Sequence, residues 1–313
     1  MSTRLSTTHD GTSGEFAVRA GDVELARYTY RSDVAQLESP RPYLHPLRTR
    51  EGNLVSLYRP HDHVWHKGIA WSLPHLGHYN FWGGPTFVKD RGGYVQLEND
   101  GSMDTVTVET ADGSATADVA RFAHRLDWHT QAGAHVVSEA RELSFRLADG
   151  AWVLTFSTAM TNVSGDRIMI GSPTTAGRDN AGYGGLFWRG PRAFTGGDIV
   201  SADGVGDDSQ RGTRGEWMAF SGRHDEVDAR STVLFVDDRE NPRHPPQWFA
   251  RSEQFAALCP APFFSEELPF EDGATLTFRY AVVVADGGCD AERGEQLAAL
   301  GRQALATTAT VTA

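Results

Sequence analysis

From Glu15 onward, apolar and polar side chains alternate with a period of two. The segments 15-EFAVRAG, 23-VELARYTYR, 104-DTVTVETA, 133-GAHVVSEARELSFRLADG, 151-AWVLTFSTAMTNVS, 231-STVLFVDD and 274-ATLTFRYAVVVADG are rich in Val, Thr, Phe and Tyr. Such residues suit a pleated, half-buried surface, so these segments predict antiparallel strands. Asp-Gly ends the tripeptide ADG at 111–113, 148–150 and 202–204, and EDG at 271–273. It supplies the positive φ that tight hairpins need. About fifteen or more strands are expected, too many for a small sandwich. The fold class is therefore all-β, a large antiparallel β-sandwich without a parallel βαβ core. Only 290-DAERGEQLAALGRQAL has helical spacing, with Asp290 placed to cap it and Leu297, Leu300 and Leu305 forming an apolar stripe. A C-terminal helix packed on the body is predicted.

This pattern divides the 313 residues into three stretches. Residues 1–13, dominated by Ser, Thr and Gly, are expected to be a mobile tail. Residues 14–289 form a single β-sandwich domain, and 290–313 a helix and tail. Forty-one acidic residues against 29 basic ones give a net charge of −12, and the Lys and Arg are scattered. That argues against a phosphate backbone, and so against nucleic acid, as partner. Two cysteines, Cys259 and Cys289, cannot form a disulfide framework and belong to no CxxC motif. With no apolar leader and no membrane-length apolar run, a cytoplasmic, soluble protein is expected. The Gly-rich 181-AGYGGLFWRG lacks the strand–GxGxxG–helix setting of a dinucleotide site, and no cofactor is expected. The pattern does not specify an oligomeric state.

Candidate chemistry is concentrated early. Six of the 12 histidines, His45, His61, His63, His66, His75 and His78, fall in one short stretch beside Asp62, Trp65, Trp71 and Trp82. Imidazole titrates near neutrality, binds metals and hydrogen-bonds hydroxyls, so a polar site with aromatic walls is expected there. In a regular strand His63 and His66 would face opposite ways, and both could act together only if Pro60 and Gly68 bend the chain. Four constellations follow: 62-DHVWHKG; 41-RPYLHPLRT, with Arg41, Tyr43, His45 and Arg48 in alternation; 177-GRDNAGYGGLFWRGP, with Arg178, Tyr183, Trp188 and Arg189; and 240-ENPRHPPQWFAR, with His244, Trp248 and Arg251. Glu266 and Glu267 in 262-PFFSEELPF are the candidate carboxylate partners. A metal reading would recast His63 and His66 as ligands with a distant third such as His244, but the spacing is not HExxH.

The runs RPYLHPLRTREGNLVS, DHVWHKG, YNFWGG, GRDNAGYGGLFWRGPRAF and LTFRYAVVVADG, in that order over roughly residues 20–288, resemble a bacterial family of unknown function called PmoA-like. Where that family's pattern runs DHPHHRG, this chain keeps Asp62, His63, His66 and Gly68 and places Trp at 65. The methane-oxygenase label attached to the family implies an integral membrane copper enzyme, which an acidic, strand-rich chain without a span does not fit. The resemblance implies instead a galactose-mutarotase-like supersandwich, a fold that houses epimerases, lyases and glycan-active domains.

The expected function is that of a carbohydrate-active enzyme, of epimerase, mutarotase or lyase type, acting on a sugar or oxidised-sugar derivative. His63, His66, His244 and Glu266 are the candidate acid–base groups. Arg41, Tyr43, His45, Asp62, Trp65, Arg178, Tyr183, Trp188, Arg189 and Trp248 are the candidate substrate-binding groups, and His63 or His66 is expected to share one cleft with Arg189 and His244. The alternatives are a non-catalytic carbohydrate-binding or regulatory protein and a metal-dependent sugar lyase or hydrolase.

Overall fold

A computed structural model describes residues 4–112 and 118–308. The alternating segments form two sheets whose ladders are antiparallel. The first runs Leu5–Asp10, Glu15–Ala20, Val23–Thr29, Tyr43–Leu47, Ile69–Leu76, Gly185–Arg189, Ala257–Ala261, Gln247–Arg251. The short strands Ile168–Gly171 and Tyr79–Phe81 also pair with Ile69–Leu76. The second runs Gly204–Gly206, Asp198–Ser201, Trp217–Arg223, Arg230–Asp237, Thr275–Asp286, Ala151–Asn162, His135–Ala148, Val119–His129, Ser102–Ala111.

The sheets bury their facing sides against each other. Trp71 of the first sheet meets Phe278, Tyr280 and Phe156 of the second at ring distances of 5.2, 6.1 and 6.2 Å, and Phe81 meets Trp128 at 4.9 Å. All six are buried, and each such side chain contributes roughly 1.5–3 kcal/mol on leaving water. Helix α1, Ala291–Thr307, covers the outer side of the second sheet. Asp290 accepts from the Arg293 amide at 2.9 Å, as an N-cap should, and Leu297, Ala298 and Leu305 pack on Val236 and Ala281. At the other end, buried Arg279 donates to the carbonyls of Leu305 and Thr308 at 2.8 and 2.7 Å, supplying donors to acceptors a helix terminus leaves unpaired.

The expected mobile tail is corrected over its described part. Leu5–Asp10 is the edge strand of the first sheet, in register with Glu15–Ala20. Its composition offers little to bury, but Leu5 is in the core and a hairpin turn at 11–14 gives the strand a complete ladder of partners. Residues 1–3 lie outside the described residues, as does the end of the chain beyond 308.

Candidate functional site

A strand sends successive side chains to opposite faces, and this places the site. In Gly185–Arg189, Leu186 and Trp188 enter the inter-sheet core, so Phe187 and Arg189 project from the other face of the first sheet. In Gln247–Arg251, Trp248 and Ala250 go inward, leaving Phe249 and Arg251 outward. Between these two strands Ala257, Cys259 and Ala261 keep the floor low. Loops around 63–66, 82–94, 178–183 and 254–255 rise around this floor and enclose a cleft of about 540 Å³, within the usual range for small-molecule sites.

The histidine loop is held rigidly. The His63 amide donates to the Pro60 carbonyl at 3.0 Å and the His66 amide to the His63 carbonyl at 2.9 Å. These successive turns bring the two imidazoles to the same side, stacked at 4.7 Å with planes 19° apart. Beneath the loop, buried Glu38 accepts two hydrogen bonds from Arg59 at 2.7 and 2.9 Å and one from Lys67 at 2.6 Å. Gly68, at φ +56°, allows the exit: a Cβ there would stand 2.1 Å from the Leu44 carbonyl oxygen. Gly84, at φ +70°, lets the Trp65 indole lie on the backbone, where a Cβ would come within 2.6 Å of the ring.

The two histidines have different partners. Arg189, fully buried, donates from its guanidinium to Nδ1 of His66 at 3.0 Å. Guanidinium only donates, so the proton of neutral His66 sits on Nε2. Burial first, then His63 and Arg189, hold His66 well below the ordinary imidazole range; it is a neutral donor. Nδ1 of His63 lies 3.2 Å from Asp62 Oδ2, near enough for charge attraction although not aligned as a hydrogen bond. That attraction favours the proton on Nδ1 and leaves Nε2 with a lone pair. Burial lowers the His63 pKa, opposed by Asp62 and reinforced by Arg189 and Arg251, so His63 is also neutral at pH 7.

Aromatic walls surround the pair. His66 meets Phe187 at 4.8 Å and Trp82 edge-on at 5.8 Å, and His63 meets Phe255 at 5.3 Å and Trp65 at 5.4 Å. Trp82 packs on Tyr183 at 4.5 Å. The Tyr183 and Tyr94 hydroxyls are 2.7 Å apart, and Arg178 donates to the Tyr94 hydroxyl. Burial, then Tyr94, push Tyr183 well above the ordinary phenol range, so it stays protonated.

Of the residues expected to serve a site, His63, Trp65, His66, Arg178 and Tyr183 line this cleft, with Asp62 and Arg189 against the histidines. Arg41 is buried beside it, donating to Ser72 Oγ at 2.8 Å and to the Trp65 carbonyl at 2.7 Å; it supports the loop. Tyr43 and His45 stack on Tyr58 at 4.9 and 5.5 Å, and His45 Nδ1 is 2.8 Å from Ser56 Oγ; neither lines the cleft. Trp188 and Trp248 are corrected: both are fully buried in the inter-sheet core, their indole N–H groups given to the carbonyls of Val55 and Gly215. They neighbour Arg189 and Phe249 in their strands and so face the opposite way.

The shared cleft with His244 is corrected as well. His244 Nδ1 is 2.7 Å from buried Asp237 at the end of Arg230–Asp237, and the cleft walls do not include it. The Glu266 side chain is 74 % exposed and pairs with Arg243 at 3.2 Å, away from the cleft walls. Among the described residues no group of three or more His, Cys, Asp or Glu gathers where a metal could be held. Trp82 and Arg251, which the sequence set beside the histidines and in the Pro-rich constellation, also line the cleft; Tyr94, Phe187, Arg211, Phe249 and Phe255 were not singled out, and for Phe187 and Phe249 the signal was their alternation with core residues.

Residues 15–299 match DUF6807, described as a family of unknown function. No curated protein matches the sequence. Solved structures similar to it include a GH36 α-galactosidase from Geobacillus stearothermophilus, at 10 % identity and TM-score 0.37, covering 88 % of this chain and 41 % of that one. The galactosidase domain of an α-galactosidase-sucrose kinase is 10 % identical with TM-score 0.40, covering 90 % and 42 %. A galactose mutarotase related enzyme from Lactobacillus acidophilus is 10 % identical with TM-score 0.31, covering 90 % and 97 %. The chain thus spans about two fifths of the length of the first two.

Proposed function

Because the chain belongs to DUF6807, a family of unknown function, what it does has to be read from its cleft, and we propose that it is a carbohydrate-active enzyme that moves a proton on a sugar or oxidised-sugar ring. The observation that carries this reading is the inequality of two stacked neutral histidines: His63, with Nδ1 turned to Asp62, offers a lone pair, and His66, with Nδ1 occupied by Arg189, offers an N–H. A base beside a fixed donor suits removal of a hydroxyl proton or of a C–H proton next to a carbonyl. His63 Nε2 takes the proton, and the His66 Nε2–H stabilises the negative charge that develops on oxygen. Delivery of a solvent proton to the opposite face, with His63 returning its own proton to water, gives epimerisation; departure of a β-substituent that takes the proton from His63 gives elimination.

The walls suit a sugar. Trp65, Trp82 and Phe255 offer flat apolar faces to ring C–H groups, and Tyr183, Tyr94 and Arg178 offer donors to hydroxyls. The motif likeness to the PmoA-like family is compatible with this once the oxygenase chemistry is set aside, and the free cysteines Cys259 and Cys289 fit a reducing cytoplasm. A panel of aldoses, uronates and 3-keto sugars, followed by ¹H NMR in D₂O, tests the reading. Solvent deuterium entering one ring position, or one anomer or epimer converting to another, supports it. Saturable binding without exchange would instead favour a non-catalytic carbohydrate-binding protein.

A further inference from the structure

The charges in the cleft run against those of the chain. The whole sequence carries −12, yet three arginines, Arg178, Arg211 and Arg251, line the cavity. Arg211 is committed, donating to Asp208 Oδ2 at 2.6 Å and to the Ala250 carbonyl at 2.8 Å. Arg251 has no hydrogen-bond or ion-pair partner for its guanidinium among the described residues; it lies over the Phe255 ring at 4.8 Å. Among the described residues the hydrogen-bond partner of Arg178 is the Tyr94 hydroxyl, and its guanidinium sits over that ring at 4.9 Å. Behind Phe255, on which its guanidinium stacks at 3.7 Å, Arg189 is fully buried with Nε and one terminal nitrogen lacking acceptors.

The nearby carboxylates do not cancel this charge. Asp62 is paired with Arg192 at 2.6 Å and faces His63, Asp208, whose charge reaches Arg251, is bonded to Arg211 at 2.6 Å, and Asp179 stands exposed on the rim. A half-buried guanidinium without an acceptor forgoes the water it gave up. Arg251 is such a group; with Arg178, which is bonded to a hydroxyl and not to a carboxylate, and a third cation under the floor, it creates a positive potential in the cleft.

Resting on the sugar reading above, we infer that the substrate is a carboxylated sugar, a uronate, whose carboxylate is received by Arg251 and Arg178 while its ring lies against Trp65 and Phe255. A planar guanidinium matches a carboxylate with two parallel N–H···O bonds, a geometry a neutral hydroxyl cannot return. The carboxylate also fits the chemistry at His63, because a C–H beside an electron-withdrawing carboxyl group gives up its proton more readily than one on a neutral sugar.

The test measures binding of glucuronate, galacturonate, glucose, galactose and glucose 6-phosphate to the full chain by titration calorimetry, at low and at high NaCl. At least one uronate is expected to bind tenfold or more tighter than its parent hexose, with salt weakening the uronate and sparing the hexose. Arg251→Gln should erase the preference and leave hexose binding in place, while Arg251→Lys, as a second variant that keeps the charge, should retain part of the preference. Equal affinity for uronate and hexose, or a preference for the phosphate, overturns this inference and leaves the sugar reading standing. Absence of binding by any of the five overturns both.

Discussion

Arg189 donates to Nδ1 of His66 at 3.0 Å with both side chains buried, and this single contact decides which of two adjacent histidines can serve as a base. With Nδ1 taken by an obligate donor, His66 can present only an N–H to the cleft; His63, with a carboxylate behind it, is left to accept.

The first prediction concerns that tautomer. In long-range ¹⁵N-correlated NMR at pH 7, His66 should be a single neutral species protonated on Nε2. Arg189→Leu should populate both tautomers, and Arg189→Lys, which keeps a donor, should restore part of the preference. A protonated Nδ1 on His66 in the unaltered protein would contradict the assignment.

The second concerns pH. His63 works as a neutral base and its pKa is lowered by burial, so kcat/KM should be flat above about pH 6.5, the ordinary imidazole value, and fall as pH drops through a lower pKa. The Asp62 charge raises the His63 pKa, opposing burial; removing it with Asp62→Asn should therefore move the acid limb to still lower pH while reducing the plateau rate. A limb that moves upward in Asp62→Asn would show that another group is titrating.

The third separates structure from function. Trp188→Ala and Trp248→Ala each empty a fully buried site and orphan a backbone carbonyl. Each should cost about 3–5 kcal/mol in urea unfolding. His244→Gln, outside the cleft, should leave kcat and KM unchanged. Loss of activity in His244→Gln at unaltered stability would return it to the site.

The fold was legible because its signal is repeated and local: period-two alternation, Asp-Gly turns and one capped helix at the C-terminus. The edge strand Leu5–Asp10 was hidden because its polar residues gain order from pairing with Glu15–Ala20 rather than from their own burial. Within the site, His63, His66 and Trp65 were readable from their clustering, since Pro60 and Gly68 announced the bend that unites them. Trp188 and Trp248 were misplaced, although parity alone forbids Trp188 from sharing a face with Arg189. His244 could not be assigned from sequence because its partner, Asp237, is a buried acid on a strand and carries no motif. Nor could the Arg189–His66 contact, which joins residues 123 positions apart.

The most direct test of the account is solvent deuterium incorporation, followed by ¹H NMR in D₂O, into the sugar that the unaltered protein processes, compared with His63→Gln. The His63 side chain is about one third exposed, so Gln should leave thermal stability nearly unchanged, while the exchange rate should fall about a hundredfold or more, the usual scale for a general base. Exchange in folded His63→Gln at the unaltered rate would contradict the central claim that His63 moves the proton.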